Sequence, residues 1–316
     1  MIDLSLVSKI KDSNIKSAIK ESLGLIDYKL SKDIRNIVIK PNLCYYWDYS
    51  TGQTTNPRFI AKLIELINEN LSKFLEKPMA RNAQEAKEIL SIVQKNNIKL
   101  MMGYPLRFNQ QFRELKRKIY DGTLGDIEIA IANYISSGPF FHRAEAHAPI
   151  PVPEWWFNKE LTGGGALIDL GSHIINLLRW YFGEITEIKS YLGYRFNMPF
   201  EDKATCLTRF QNGTTAIINV GWFLQGYRLK IELIGTVNHI TVQHKPPNPL
   251  TAAIQMLTTG TSQFYHAHKA ELQHFVNSPI NDKTPTPTGE DGLKDLEAIE
   301  KAYKNQIRMR TLTYGL

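Results

Sequence analysis

GGGALIDLGSHIINLLRW, residues 163–180, is the stretch from which the rest of the chain can be read. Three consecutive glycines are unfavourable inside a helix but suit a close, backbone-exposed approach to one. A helix is therefore expected from about Ala166, with free N–H groups at its start that favour an anionic guest. Leu167, Leu170, Ile174, Leu177 and Leu178 recur at steps of three and four, the pattern of a helix burying one side. Asp169 and His173 fall outside that row. They are four residues apart, so they project from adjacent turns of one face, with Asn176 and Trp180 extending it. A carboxylate beside an imidazole suits general acid/base chemistry near neutral pH: the acid orients the ring and raises its pKa, and the ring carries the proton. Spacing alone is also met by a solvated Asp–His pair on a helix surface.

The 316 residues suffice for two domains of ordinary size. A formal charge of +7 comes from lysines interleaved with acids, as in KDSNIKSAIKESLG, residues 11–24. That pattern is a solvated surface with a mild attraction for phosphorylated small molecules, and no basic stripe with interleaved aromatics points to nucleic acid. No apolar run approaches the roughly 18 residues of a membrane span. The opening MIDLSLVSKIKDSN carries acids where a signal peptide has its apolar core, so a cytoplasmic protein without a membrane partner is expected. Cys44 and Cys206 form no C-x-x-C, which argues against a disulfide framework, an iron–sulfur cluster or a structural zinc. His266, His268 and His274, with His142 and His147, have no carboxylate at ligand spacing, and no metal is expected.

Upstream, Leu4 to Leu23 reads as an amphipathic helix ended by Gly24, and Asn36 to Lys40 (NIVIK) as a strand stopped by Pro41. A long loop then leads to a helix capped by Thr55 or Asn56 with Pro57 at its first position. A second strand at Lys73 to Glu76 completes a βαβ unit. The words KPNL and TTNP, with the helix behind them, resemble the beginning of the family called domain of unknown function 362, over about residues 30–70. The cysteine clusters of the ferredoxin-like modules often joined to that family are absent, so no electron-transfer role carries over.

From Phe74 to the C-terminus the chain resembles the glucose–fructose oxidoreductase and inositol dehydrogenase family (Gfo/Idh/MocA). The pieces come in order: Glu76-Lys77-Pro78 at a strand end, the helix NAQEAKEILSIVQKNN, the strand IKLMMGY, Pro105, Arg107 and Phe108, the helix FRELKRKIYDGTLGDI, Trp155-Trp156, the glycine run with Asp169 and His173, and the final helix LKDLEAIEKAYKN. The resemblance implies NAD or NADP as cofactor and a sugar or polyol as substrate. It places Lys77 by the nicotinamide and the substrate hydroxyl, and makes Asp169 and His173 the residues that contact substrate and handle the proton. Glu76, Lys77, Pro78, Arg107 and Trp156 are the expected cofactor contacts, and Tyr104 is a further candidate near them. The carboxyl end of a parallel strand, where Lys77 falls, is where open α/β sheets place ligands.

The expected fold is α/β plus α+β: a truncated Rossmann-like parallel sheet, then a mainly antiparallel-sheet substrate domain with flanking helices. Its candidate strands are DIEIAIANYI, EITEIKSYLGY, ATCLTRF, TTAIINVGWF, LKIELIG and HITVQH, with Asn212-Gly213 as a hairpin turn. The resemblance also implies a homo-oligomer built through this sheet. Three segments follow: residues 1–72 as a replaced N-terminal portion, 73–108 as the C-terminal remnant of the dinucleotide domain, and 109–316 as the substrate and oligomerisation domain.

Only Gly24 and Gly52 precede Gly103, so the family's G-x-G-x-x-G turn, which holds the cofactor pyrophosphate on a helix N-terminus, has no counterpart. Three functions follow from this mixture. The first is an oxidoreductase with a reorganised cofactor site, hydride passing between nicotinamide and a secondary hydroxyl or ketone. The second is a sugar-binding or assembly protein without cofactor, and the third is a gene-fusion remnant joined near Ser72.

Overall fold

A computed structural model of the chain describes residues 36–39, 72–139, 154–244, 263–281 and 283–307. The expected helices at Leu4 to Leu23 and from Pro57, the KPNL and TTNP words, Cys44, His142 and His147 lie outside the described residues.

Two sheets are present among the described residues. In the first, β1 (Asn36–Ile39), β2 (Ser72–Glu76) and β3 (Leu100–Gly103) run parallel in the order β1-β2-β3, with Val38 beside Phe74 and Phe74 beside Met101. The central strand is covered on both faces, which is why its residues Phe74 and Leu75 are both buried. Between β2 and β3 the crossover helix α1 (Ala83–Lys95) starts where the Asn82 side chain accepts the Glu85 N–H, and Ala83, Ala86, Ile89, Leu90 and Val93 form its buried face. A single 3-10 turn, Pro105–Phe108, leads into α2 (Gln110–Tyr120), which buries Phe112 and Leu115.

The second sheet has six strands: β4 (Ile127–Ser136), β5 (Ile185–Gly193), β6 (Lys203–Phe210), β7 (Thr215–Gly221), β8 (Tyr227–Gly235) and β9 (His239–His244). Their order is β5-β6-β7-β4-β8-β9, antiparallel except between β4 and β7. Each falls on a stretch expected from alternation. In β6, Ala204, Cys206, Thr208 and Phe210 point inward while Lys203, Thr205, Leu207 and Arg209 point out, the period of two that one buried face requires. The β6–β7 turn falls at Asn212-Gly213 as expected, with Gly213 at φ +96, a region closed to most side chains.

The inner face of this sheet is packed by α3 (Ser172–Phe182), which is buried nearly all round, and by α5 (Gly289–Lys304), which starts in a Thr288–Asp291 capping box. The last described segment joins the two sheets. The Met102 N–H in β3 donates to Pro287 O at 2.8 Å, Gly289 fits against Leu90 and Leu100, and the Ser190 hydroxyl in β5 donates to Ala302 O at 2.7 Å. A remaining helix, α4 (Gln263–Ile280), lays Phe275 on Phe74 and Met101 at the first sheet.

Candidate active site

Lys77 leaves the carboxyl end of β2 immediately after Glu76 and is 6% exposed. Its Nζ donates to Asp169 Oδ1 at 2.9 Å and to the Asp169 main-chain oxygen at 3.1 Å. Asp169 sits on a wide, π-helical turn, Leu167–Gly171, that leads into α3. Such turns open the backbone to side chains, and here the Asp169 carbonyl accepts from both Lys77 Nζ and the Ser172 hydroxyl, the latter at 2.9 Å. The second carboxylate oxygen, Oδ2, accepts from the Trp222 indole N–H at 3.3 Å. Trp222 is itself 2% exposed, held between Trp156 at 5.7 Å and Phe200 at 6.1 Å.

His173 lies four residues on, its ring against Tyr104 and Tyr134 at centroid distances of 6.3 and 5.8 Å. Its Nδ1 is buried and has no hydrogen-bond partner among the described residues. Burial, then the positive charge of Lys77, then His268 hold this imidazole well below the usual histidine range, so it is neutral around neutral pH. The expected Asp–His pairing is thus corrected. Both Asp169 oxygens are taken by Lys77 and Trp222, and the ring's pKa moves down, not up. The wide turn breaks the four-residue register on which that pairing rested, and a nearby ammonium is the stronger claimant on a carboxylate.

The glycine run makes the close backbone approach expected of it, and the group its N–H donors hold is internal. Gly163 sits at φ +79, and a Cβ there would lie 2.3 Å from Arg81 O; on Gly165 it would lie 1.9 Å from Glu201 O. The N–H groups at the helix start are already satisfied. Glu201 Oε1 accepts from Gly165 at 3.1 Å and from Leu167 at 2.9 Å, Glu201 O accepts from Ala166 at 3.0 Å, and the Tyr303 hydroxyl donates to Oε1 at 2.9 Å. The anionic guest of this helix start is the protein's own buried glutamate.

Of the expected contacts, Lys77 and Asp169 meet directly, His173 stands within the electrostatic reach of Lys77, and Trp156 reaches Asp169 through the Trp222 ring. Glu76 lies over Gly103, and Pro78 follows Lys77 through a cis peptide. Arg107 is engaged elsewhere: its guanidinium donates to Asn176 Oδ1 at 2.7 Å and to Asp291 Oδ1 at 3.4 Å, while Asn176 donates to Asp295 Oδ2 at 2.6 Å and Arg179 pairs with Asp295. This buried cluster ties α3 to α5. No group of histidines and acids that could hold a metal occurs among the described residues.

Trp222, Tyr134 and Glu201 were not singled out by sequence. A signal existed for Trp222, since a tryptophan at the end of an alternating strand needs a partner for its N–H once buried. Trp222→Phe keeps the ring packing and removes the donor to Asp169. It is expected to cost about 1.5 kcal/mol, the worth of a hydrogen bond to a charged group, read as a lower midpoint in urea unfolding. An unchanged midpoint would mean that the indole only fills space.

Residues 112–241 match the family model described as the GFO/IDH/MocA C-terminal domain. Myo-inositol 2-dehydrogenase of Thermotoga maritima is 23% identical over 99% of this chain and 92% of its own length. Scyllo-inositol 2-dehydrogenase (NAD(+)) of Bacillus subtilis is 25% identical over 73% of this chain and 68% of its own. Among solved structures, scyllo-inositol dehydrogenase from Lactobacillus casei with bound NAD(H) and scyllo-inositol superposes with a TM-score of 0.61 at 21% identity, covering 79% of this chain and 74% of that one. The homologues are inositol and sugar dehydrogenases of the Gfo/Idh/MocA type, and the domain match together with them supports that family resemblance.

Proposed function

We propose that the chain, whose residues 112–241 match a Gfo/Idh/MocA C-terminal domain, is an oxidoreductase moving a hydride between NAD or NADP and a secondary hydroxyl or ketone of a sugar or polyol. The observation that carries this reading is the Lys77–Asp169 pair at the carboxyl end of a parallel strand, with a neutral His173 beside it.

The described residues fit the nicotinamide end of such a cofactor. Glu76, Lys77 and Pro78 form the sheet edge where a ring would lie, and the Nδ1 of His173 is left unmatched by any described protein group. The pyrophosphate end would fall to residues 1–72, which lack the glycine fingerprint, so the phosphates would be held in another way. On this reading residues 73–108 are the remnant of the dinucleotide domain and 109–316 the substrate domain. The nicotinamide, when bound, supplies the hydride acceptor or donor. Lys77 directs its ammonium at the substrate oxygen and stabilises negative charge developing there. Asp169 keeps that ammonium in place, its second oxygen fixed by Trp222. His173, being neutral, accepts the hydroxyl proton during oxidation and returns it during reduction.

No helix of the described residues is long and apolar enough to cross a membrane, and we place the protein in the cytoplasm, where nicotinamide cofactors are abundant. The outward face of the six-stranded sheet supports a homo-oligomer: Leu207 is 56% exposed, and Ile129, Tyr191, Ile217 and Ile234 add apolar surface to the same sheet. No observation favours the cofactor-free sugar-binding reading or the remnant reading.

The test is reduction of NAD and NADP by the purified protein with inositols and a set of sugars, beside calorimetric titration of both cofactors. His173→Ala is expected to lower kcat by about 10²- to 10⁴-fold without lowering the unfolding midpoint, and unchanged turnover would remove the histidine from the chemistry. The pH profile carries a second expectation. A base must be neutral to accept a proton, and the His173 pKa lies well below 6.5, so oxidation holds its rate as pH falls through 6.5 and declines only further down.

A further inference from the structure

Two buried acids just before β6, Glu201 and Asp202, take no part in the proposed chemistry, yet they hold the residues that do. The Glu201 carboxylate meets the approach to α3 at two points: Oε1 accepts the Gly165 N–H at 3.1 Å and the Leu167 N–H at 2.9 Å. Gly165 passes this hold to Asp169 across a single residue, because its own carbonyl accepts the Asp169 N–H at 3.1 Å. Leu167 is the first residue of the wide turn on which Asp169 rides. The main chain of Asp202 reaches the Asp169 side chain from the other direction. Its carbonyl accepts the Trp222 main-chain N–H at 2.8 Å, and the Trp222 indole N–H donates to Asp169 Oδ2. The two acids are themselves anchored. The Asp202 N–H donates to Gly193 O at 3.0 Å, Asp202 Oδ2 accepts the Phe196 N–H at 2.7 Å, and the Tyr303 hydroxyl from α5 donates to Glu201 Oε1. Hydrogen bonds to a buried carboxylate are short and directional, so the turn must follow wherever this carboxylate stands.

We propose that Glu201 is a positioning residue for Asp169, and through it for Lys77. Its carboxylate sets the place of the turn that carries Asp169, while the adjoining Asp202 carbonyl sets the indole that fixes the second Asp169 oxygen. Both contacts that Lys77 makes with Asp169, to Oδ1 and to the main-chain oxygen, depend on that turn. The main-chain contact is the more sensitive, since a carbonyl cannot follow the ammonium by rotating a side chain. The inference rests on the reading of Lys77 as the group that polarises the substrate oxygen, but the contacts it concerns can be measured without turnover.

Glu201→Gln tests it. Glutamine keeps the shape but has one acceptor oxygen. With that oxygen on Leu167 and Tyr303, its NH2 group takes the place of Oε2, 3.3 Å from the Gly165 nitrogen, and sets donor against donor. The turn should yield, and the Lys77 ammonium should lose its contacts with Asp169. Brief labelling of the folded protein with acetic anhydride, read by mass spectrometry, should modify Lys77 at least about fivefold faster in E201Q than in wild type. Lys73, fully buried in the strand that leads to Lys77, is the control. It should keep its wild-type rate, which a general loosening of the fold would not allow. With myo-inositol and NAD as probes, kcat should fall by about tenfold while KM for NAD stays within about twofold. Tyr303→Phe removes one donor to the same oxygen without crowding the helix start, and should shift Lys77 labelling in the same direction by a smaller factor. It carries the test if the glutamine variant does not fold. Wild-type labelling of Lys77 in the folded variants, or Lys77 and Lys73 rising together, overturns the proposal. Absence of turnover in wild type would instead strike the hydride reading, and the labelling result would still decide the role of Glu201.

Discussion

Lys77→Met is expected to lower turnover on a polyol by about 10³-fold, because the group that polarises the substrate oxygen is gone while the site around it stays. Methionine follows the lysine stem through the same buried channel, so packing changes little. What is lost is the ammonium, which gives Asp169 two of its contacts, at 2.9 and 3.1 Å. Breaking a fully buried pair costs about 3–5 kcal/mol, because one charge is left without solvent or partner. The Asp169 side chain is 24% exposed and keeps its bond from Trp222, so water can take up part of the charge and about 2 kcal/mol is expected instead. Lys77→Arg separates the two effects. It retains the charge and much of the stability, but its planar fork is the wrong shape for a point contact and turnover should stay low. Turnover of the methionine variant within about threefold of wild type would exclude Lys77 from the transition state.

Gly165→Ala is expected to have the largest effect on folding. The added methyl would sit 1.9 Å from the Glu201 main-chain oxygen and 2.9 Å from its carbonyl carbon, so no side-chain rotation can relieve it. The strand approach carrying Glu201 must move. That takes the Glu201 carboxylate away from the N–H groups of Gly165 and Leu167 and from the Tyr303 hydroxyl at once. Backbone strain and lost capping together should cost about 3 kcal/mol or more. Urea unfolding measures it, and a loss below about 1 kcal/mol would mean the helix start can shift freely. Since Asp169 and His173 ride on that helix, whatever folded protein remains should bind substrate poorly.

Much of this arrangement could be read from residues alone. Alternation located each strand of the six-stranded sheet, because one face is buried and the other open, and period two is then unambiguous. The Lys77, Asp169 and His173 constellation was visible through family resemblance, and the structure brings its first two members into contact across 92 positions. The pairing inside it was misread. Spacing of four promises a shared face only if the helix is regular, and the π turn at Leu167–Gly171 leaves no mark in residue spacing. The partner of the glycine run was not legible either, since nothing local to GGG announces that Glu201, 36 positions later, will bury its carboxylate there. Arg107 illustrates a further limit. Its type suits a cofactor phosphate and a buried ion cluster equally, and the choice was made by Asn176 and Asp291, which sequence does not place nearby.

The segment from Pro285 to Ile307 has a consequence for how the molecule comes into being. It is the last described part of the chain, and it ties β3 to β5 and braces α3 through the Arg179–Asp295 pair. A ribosome releases it after both sheets have emerged. Until then the apolar flank of α1 and β3 formed by Leu90 and Leu100 lacks the Gly289 backbone that packs against it. Until that segment is made, the nascent protein carries an open, adhesive seam between its two sheets.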